Sequence, residues 1–485
     1  MPPTPLNPAP GTLKKSLGLG SAVSLVIGSI IGAGIFMRPA SMAERLGSPT
    51  LLFLVWIVAG LISIIGATIY AELGTMFPDT GGPYVYLQKI YGDLVAFLFG
   101  WASNIVINTT AIASMAFVAA QYLGFFVHLP RLDPATELSV RLHIPLVADI
   151  YPLQDIGVKS VAAGLLAVLV AVNYCSTRGG NGLQVLATTV KTLALLLLIG
   201  GLLFTGKGHV ANFVTNSPEF HPQGWWVLVA FMAATSGAFS SYDGWYNINM
   251  VAGELENPQK NISRSLLIGV GACIAIYLLT TLAYTYVLPV EKMAHSPLVA
   301  ADAMEAVLGH AAAGLVSALI VLTAFGCAQA NLLAPSRIVF KTAQEGGFFA
   351  WTGKVHPRFG TPGNAVIFMG VVSILFVFSG SFDLLADMFV FLSWIFYGLT
   401  AVGFFLLRRR MPEAPRPWRA KGYPWLQGFF VLFTAFYLLA TLYNDVANFR
   451  AGKSPMIQSV FGLLLTATGI PFYLYFQRQK RKNAK

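Results

Sequence analysis

The stretch GSIIGAGIF, from Gly28 to Phe36, lies inside a long apolar segment and contains three glycines. A second stretch, SGAFSSYDGW from Ser236 to Trp245, lies inside another apolar segment further along the chain. Glycine costs a helix about 1 kcal/mol relative to alanine, so both stretches are expected to interrupt their helices. Small residues also allow membrane helices to pack closely. Paired interruptions, however, favour a central binding site between two halves of a membrane protein.

The composition of the whole chain indicates a protein embedded in lipid. Of its 485 residues, 56% are hydrophobic and only 11% are charged, whereas an average soluble domain is about 25% charged. This excludes a disordered chain, a coiled coil and an ordinary soluble enzyme. Apolar stretches of about 20 residues or more can cross a bilayer. Twelve such spans are predicted, at 17–46, 49–77, 92–128, 156–175, 182–206, 223–253, 264–290, 311–340, 363–380, 382–407, 424–444 and 455–477.

The distribution of lysine and arginine predicts the orientation of these spans. Twelve spans place both termini on one side, and the basic residues concentrate in the loops of that side, which identifies it as the cytoplasm. The interrupted spans are the first and the sixth, so they run in opposite directions. The basic end of the chain is read as a lipid-facing segment and not as a nucleic-acid-binding arm.

The two interruptions provide opposite partial charges. A half-helix starting near Gly34 would present free N–H groups to a carboxylate. A half-helix ending near Gly237 to Ser240 would present unpaired carbonyls to an ammonium group. Irregular backbone at membrane depth lines a cavity or is buried in protein. The pair therefore predicts a site for the zwitterion of an α-amino acid.

Five motifs in order carry a resemblance to a known family. They are GSIIGAGIF (Gly28 to Phe36), YAELGTMFPDTGG (Tyr70 to Gly82), YDGW (Tyr242 to Trp245), GELENP (Gly253 to Pro258) and RPWRAKGYP (Arg416 to Pro424). Over nearly its whole length, the chain resembles the L-amino acid transporter branch of the amino acid–polyamine–organocation superfamily. The resemblance implies an all-α integral membrane protein with twelve transmembrane helices. It also implies a five-plus-five inverted repeat with helices 1 and 6 broken, and transport by alternating access.

The resemblance also divides the chain. The expected segments are a disordered cytosolic N-terminus at 1–16, a first repeat at 17–206, a second repeat at 223–409, two additional spans at 424–477 and a basic cytosolic tail at 478–485. The interruptions and the resemblance together predict the residues that bind substrate. They are Ser29, Ile30, Gly32, Ala33, Gly34, Phe239, Ser240 and Asp243.

Three ionisable residues near these spans have alternative interpretations. Asp243 either caps the second half-helix of span six or faces the site and attracts a cationic side chain. Lys191 lies within an apolar run. A lysine inside a membrane span is energetically costly, so its presence indicates a functional role. It matches the family lysine that occupies the sodium position of sodium-coupled relatives, although a snorkelling lysine is the alternative. Glu254 either closes an inner gate by pairing with Arg264 or Arg337, or is a solvated interface charge.

The resemblance also implies a gating role for Tyr284, which ends the family's Asn-Val-Ala-Tyr motif, here Thr281 to Tyr284. The family's cysteine for a disulfide-linked heavy subunit has no counterpart, because the loop at about 129–155 contains no cysteine. No such partner is therefore expected.

No cofactor, metal ion or nucleic acid is expected either. The histidines lie in loops or at span ends without the spacing of metal ligands, and the three cysteines form no C-x-x-C pair. An intramembrane enzyme would need paired carboxylates or a metal cluster, so enzymatic activity is not expected.

The sequence therefore predicts a sodium-independent transporter in the cell membrane, with the lipid bilayer and a small-molecule amino acid as its partners. Small or medium neutral amino acids are the expected substrates, by exchange or uptake. The alternative is a cationic amino acid or polyamine permease, with or without coupling to protons.

Overall fold

The protein is described by a computed structural model that covers residues 17–78, 81–175, 177–219 and 222–483. The side chains of 177–189 and 480–483 are not described. The expected disordered segment at 1–16 and the last two residues of the expected basic tail lie outside these ranges.

Long apolar helices dominate the described chain. The helices are α1 (Leu19–Ile30), α2 (Gly34–Leu46), α3 (Pro49–Met76), α4 (Pro83–Tyr91), α5 (Asp93–Ala102), α6 (Asn108–Leu123), α7 (Pro134–Glu137), α8 (Ile156–Cys175), α9 (Thr177–Leu203), α10 (Trp225–Tyr242), α11 (Asn247–Met250), α12 (Pro258–Val287), α13 (Val290–Ala294), α14 (Val299–Leu308), α15 (His310–Gln344), α16 (Gly363–Ser379), α17 (Phe382–Arg410), α18 (Trp425–Arg450), α19 (Gln458–Ala467) and α20 (Gly469–Asn483). A π-helical turn, Ser103–Ile107, joins α5 to α6. Short 3₁₀ turns are formed by Val210–Phe213, Ala252–Glu254 and Ala350–Gly353.

Within the described residues, eight helical segments are long and apolar enough to cross a membrane. They are α3, Asp93–Leu123, α8, α12, α15, α17, α18 and Gln458–Gln479. The pair α1 and α2, bent by 44°, would make a ninth. The other three predicted spans correspond to α9, α10 and α16, two of which carry the shorter apolar stretches Val190–Leu203 and Gly363–Ser379. The multi-pass all-α fold is thus confirmed, and the count of twelve stays a prediction.

The broken helices lie at the centre of the helix packing. Helix α12 packs along α1 and α3, while α10 packs against α2 and α3. Helix α15 packs against α6 and α9, and α17 contacts α6, α10 and α18. The two broken helices are therefore enclosed by neighbours that satisfy or cover their irregular backbone, as membrane-embedded protein requires.

A small β-hairpin forms the one sheet within the described ranges. Its strands β1 (Leu142–Ile144) and β2 (Ala148–Ile150) pair antiparallel. The hairpin also bonds to the segment before α19: the Asp149 amide donates to the Pro455 carbonyl at 2.7 Å, and the Ile457 amide donates to the Val147 carbonyl at 2.8 Å. The loop at 129–155 is therefore folded back onto this protein's own backbone.

Candidate functional site

The first break lies between α1 and α2. Helix α1 ends at Ile30 and α2 begins at Gly34, which is the position the sequence predicted for the second half-helix. Three residues, 31–33, connect them. The Ile31 amide still donates to the Ile27 carbonyl at 2.9 Å, and the Phe36 amide donates to the Ala33 carbonyl at 3.1 Å. The last carbonyls of α1 and the first N–H groups of α2 have no further helical turn to satisfy them, so they are free to meet other groups.

The second break lies later than the sequence predicted. Helix α10 continues through Gly237 and Ser240 and ends at Tyr242, and the chain turns at Gly244 with φ of +97°. The predicted end at Gly237 to Ser240 is therefore wrong. The hydroxyls of Ser240 and Ser241 both donate to the Gly237 carbonyl, at 2.7 and 3.1 Å. These bonds turn the small polar side chains back onto their own helix.

The two breaks contact each other through glycines. A Cβ atom at Gly34 would lie 2.7 Å from the Ser241 Oγ, and one at Gly244 would lie 2.7 Å from the Ser29 carbonyl oxygen. Each break thus places a glycine against a serine of the other. As a result, the N-terminal end of α2 lies beside the C-terminal end of α10, and opposite partial charges meet at one place.

Lys191 from α9 binds the first break. Its side chain is 6% exposed, and its ammonium group donates to the Gly28 carbonyl and, at 3.1 Å, to the Ile31 carbonyl. These are carbonyls at the end of α1. The lysine is therefore held inside the protein, which contradicts the alternative of a side chain snorkelling to the interface.

Asp243 does not cap the half-helix that follows it. The N-cap of α11 is Tyr246, which makes no side-chain capping bond, so the capping interpretation is wrong. The Asp243 carboxylate instead accepts a hydrogen bond of 2.5 Å from the Tyr397 hydroxyl on α17. The residue is half-buried, so part of its surface remains accessible.

The other predicted substrate residues divide into two groups. Ser29 and Gly32 are half-buried beside the first break, and Ile30 and Ala33 are buried there. Phe239, by contrast, packs its ring against Trp394 with the ring centres 3.8 Å apart. Its side chain is thus occupied by helix packing against α17.

Ser240 belongs to a buried ionic cluster that the sequence analysis missed. Arg38, on α2, is completely buried and donates to Ser240 Oγ at 3.0 Å. It also pairs with Asp383 at 2.5 Å and with Asp387 at 3.0 Å, both on α17. A buried arginine needs such partners. Sequence patterns could not reveal this cluster, because the acidic partners of Arg38 are more than 340 residues away in the chain.

Two further side chains extend this cluster. Arg45 lies 3.4 Å from Asp387 and donates to the Ala233 carbonyl at 2.6 Å. The Ser236 hydroxyl donates to Asp387 at 2.9 Å. The cluster therefore ties α2, α10 and α17 together on the side of the breaks where α17 begins.

The predicted gating residues are placed differently from expectation. Glu254 forms no ion pair with Arg264 or Arg337 in the described part of the chain, so that pairing is wrong. Its carbonyl instead accepts from the Leu17 amide at 3.1 Å. Tyr284 is completely buried, and its hydroxyl has no hydrogen-bond partner among the described residues.

The ion pair that the structure shows at the other end of α17 involves Glu72. This fully buried carboxylate lies 2.5 Å from Arg408 and 3.3 Å from Arg416, and it accepts from the Ala420 amide at 2.7 Å. It thereby fixes the loop between α17 and α18 to the end of α3.

Two contacting breaks inside a multi-pass helical body are typical of a membrane transporter. The chain matches the family model described as amino acid permease over residues 17–466. It is 29% identical to the human b(0,+)-type amino acid transporter 1, covering 98% of this chain and 90% of the relative. It is 31% identical to the human large neutral amino acids transporter small subunit 2, over 97% of this chain and 82% of that relative.

A third similar protein is the human cystine/glutamate transporter, 29% identical over 96% of this chain and 85% of the relative. The chain belongs to the amino acid permease family, in the L-amino acid transporter branch of the amino acid–polyamine–organocation superfamily. It is an amino acid transporter.

Proposed function

We propose that the protein moves small or medium neutral L-amino acids across the cell membrane by alternating access, through exchange or uptake, without sodium. In this proposal residues 17–206 and 223–409 are the two inverted repeats, 424–477 form the two additional spans, and both termini are cytoplasmic. The reciprocal contacts of the two breaks support the repeat, because each half supplies the same elements to the other.

The contact between Gly34 and Ser241 carries the proposal. It brings the N-terminal end of α2 and the C-terminal end of α10 together. The N–H groups at Gly34 would bind the substrate carboxylate. The carbonyls at the ends of α1 and α10, including those of Ile30 and Ser240, would accept from the ammonium group. Two adjacent helix ends of opposite partial charge suit a zwitterion without an ionised side chain for either pole.

The other residues of the first break would surround this zwitterion. Ser29 and Ala33 would contact its backbone atoms, while Gly32 would leave room for its side chain. Phe239 would contribute only by fixing the position of α10, since its ring is packed on Trp394.

Lys191 supports the independence from sodium. Its ammonium group already supplies a cation to two carbonyls of the first break. A dissolved cation bound at those carbonyls would have to displace a buried lysine. The conformational cycle would therefore need no sodium ion at this position.

In this proposal, Tyr284 and Glu254 contribute to gating through different contacts. Tyr284, with its unpaired buried hydroxyl, would move as the site opens. Glu254 would act through its backbone bond to Leu17. A disulfide-linked partner is not needed, because the loop at 129–155 lacks cysteine.

Counterflow in proteoliposomes tests the function. Purified protein is reconstituted with L-alanine inside, and uptake of labelled L-alanine is measured in sodium and in choline buffer. We expect equal rates in both buffers and competition by free amino acids. L-Alaninamide and N-acetyl-L-alanine should compete weakly, since each lacks one charged group. Equal competition by either analogue would show that the zwitterion is not what the site recognises.

A cationic amino acid or polyamine permease, with or without coupling to protons, is the second candidate. Asp243 favours it, because its carboxylate is half-buried beside the second break and lacks a basic partner among the described side chains. Putrescine, which has no carboxylate, discriminates the two candidates: strong competition by putrescine would support the polyamine permease.

A further inference from the structure

The motif RPWRAKGYP, from Arg416 to Pro424, lies in the loop between α17 and α18. Both helices are long and apolar enough to cross a membrane, and they pack against each other. Helix α17 ends at Arg410 and α18 begins at Trp425. Because the loop joins the ends of two neighbouring spans, it lies at the membrane surface, at the depth of the lipid headgroups.

The inner side of this loop is neutralised by the buried carboxylate of Glu72. Arg408 donates to both of its oxygens, at 3.0 and 2.5 Å, and the Ala420 amide donates to one of them at 2.7 Å. Arg416 lies 3.3 Å from the same carboxylate and also donates to carbonyls within the loop. These contacts hold the end of α17 and the middle of the loop at one point.

Three exposed basic residues surround this point. Arg409 follows Arg408 in the chain, while Arg419 and Lys421 lie on either side of Ala420. Because Arg408 and Ala420 bond to the same carboxylate, the fold brings these three residues together. Within the described part of the chain, none of the three pairs with an acidic side chain. We call Arg409, Arg419 and Lys421 the basic surface.

Exposed apolar side chains lie next to the basic surface. Trp425, the first residue of α18, is 83% exposed, and Phe429, one turn further on, is 52% exposed. The Tyr423 ring lies under the Arg408 guanidinium, with the ring centre 3.9 Å from its carbon. Tryptophan and tyrosine are typical of the boundary between headgroups and acyl chains. The loop therefore offers charge and apolar contact side by side, which fits an amphiphile.

The charge of the loop determines which amphiphile fits. Glu413 is the single carboxylate in the loop at 411–424, so the exposed charge is positive. Basic residues at a membrane surface attract anionic lipids, and arginine suits phosphate oxygens in particular. A zwitterionic headgroup brings its own cation, which these unpaired basic residues would repel.

We propose that the basic surface binds the headgroup of an anionic phospholipid, whose acyl chains lie along Trp425 and Phe429. This inference goes beyond the proposed function, because it does not depend on which substrate the protein moves. It gives a role to a motif that contributes no residue to the proposed substrate site.

Thermal unfolding of the purified full-length protein in detergent tests the inference. The protein is titrated with phosphatidylglycerol or with phosphatidylcholine, and the preference is the ratio of the two concentrations that give half of the maximal stabilisation. We expect the unmodified protein to prefer phosphatidylglycerol. In the triple variant Arg409→Gln, Arg419→Gln, Lys421→Gln this preference should fall at least about tenfold, since each basic residue near a membrane surface changes affinity about fivefold.

Two further variants control for net charge and for folding. Arg131→Gln, Arg450→Gln, Lys453→Gln is the matched control, because these residues are also exposed and lie near the other end of α18 or in the loop at 129–155. It removes the same charge and should leave the preference unchanged. Arg409→Lys with Arg419→Lys keeps the charge and should retain the preference for phosphatidylglycerol.

Four results would overturn the inference. The first is an unmodified protein that does not prefer phosphatidylglycerol, and the second is an equal loss of preference in both triple variants. The third is a lysine variant that loses the preference as the glutamine variant does. The fourth is equal stabilisation by glycerol 3-phosphate, which would mean that the surface binds a free anion and not a lipid.

Discussion

Replacing Lys191 by alanine should abolish most transport, and the structure indicates how much. The ammonium group donates to the buried carbonyls of Gly28 and Ile31, and alanine leaves both without this donor. An unsatisfied buried acceptor costs about 1–3 kcal/mol. Two of them cost at least about 2 kcal/mol, and if that cost falls on the transport cycle, the rate falls about 30-fold.

The assay is counterflow of labelled L-alanine, normalised to the amount of folded protein in the liposomes. Lys159→Ala is the control, because Lys159 is also a buried lysine that donates to a carbonyl, that of Tyr151 at 2.8 Å, but at the start of α8. This variant should retain most of its transport. Full activity of Lys191→Ala, or strong stimulation of the unmodified protein by sodium, would refute the reasoning.

Three further predictions concern the breaks and the ionic cluster. Gly34→Ala should reduce both thermal stability and transport, because the added Cβ would lie 2.7 Å from the Ser241 Oγ. Gly32→Ala should reduce transport alone, because the atom nearest to the added Cβ is 3.9 Å away. Asp243→Asn should weaken uptake of lysine and spare alanine if the carboxylate faces a cationic substrate, measured by competition. Asp387→Asn should reduce transport at least about tenfold, because it leaves the buried Arg38 with one charged partner fewer. Asp383→Asn should reduce transport no more than about fivefold, because Asp383 is half-exposed.

Each of these predictions has a result that contradicts it. Normal transport by Gly32→Ala would place the substrate away from the first break, and normal stability of Gly34→Ala would show that the two breaks can separate at little cost. If Asp243→Asn changes the uptake of neither lysine nor alanine, Asp243 does not contribute to substrate selectivity. If Asp383→Asn loses more transport than Asp387→Asn, solvent exposure does not determine how much each aspartate contributes to this cluster.

Local sequence patterns were sufficient to predict the helices and the first break. Apolar stretches of the length of a bilayer coincide with helices, and the glycine-rich run ending at Gly34 predicted the start of α2. The second break was misplaced because Ser240 and Ser241 bond back to Gly237 and extend α10. A serine that satisfies its own helix and a serine that ends a helix look the same in a sequence.

Contacts between distant segments limited what could be predicted for the site. Arg38 meets its partners on α17, and Glu72 meets Arg408 on the same helix. The proposed pairing of Glu254 relied on nearness to the membrane surface, which does not specify which helices are neighbours. Lys191 was an exception, because a lysine within an apolar run has to find acceptors, and broken helices provide them.

The glycines of the two breaks also determine where the binding site can be redesigned. Gly34 and Gly244 leave no space for even a methyl group, since the serines of the opposite break occupy it. At Gly32 the nearest atoms to an added Cβ are the Ile30 carbonyl oxygen at 3.9 Å and the Cys327 Sγ at 4.0 Å. If the substrate binds as proposed, Gly32 is the one of these three glycines where engineering can exchange volume between protein and ligand. Enlarging residue 32 should narrow the range of side chains that fit, and shortening Cys327 to alanine should widen it.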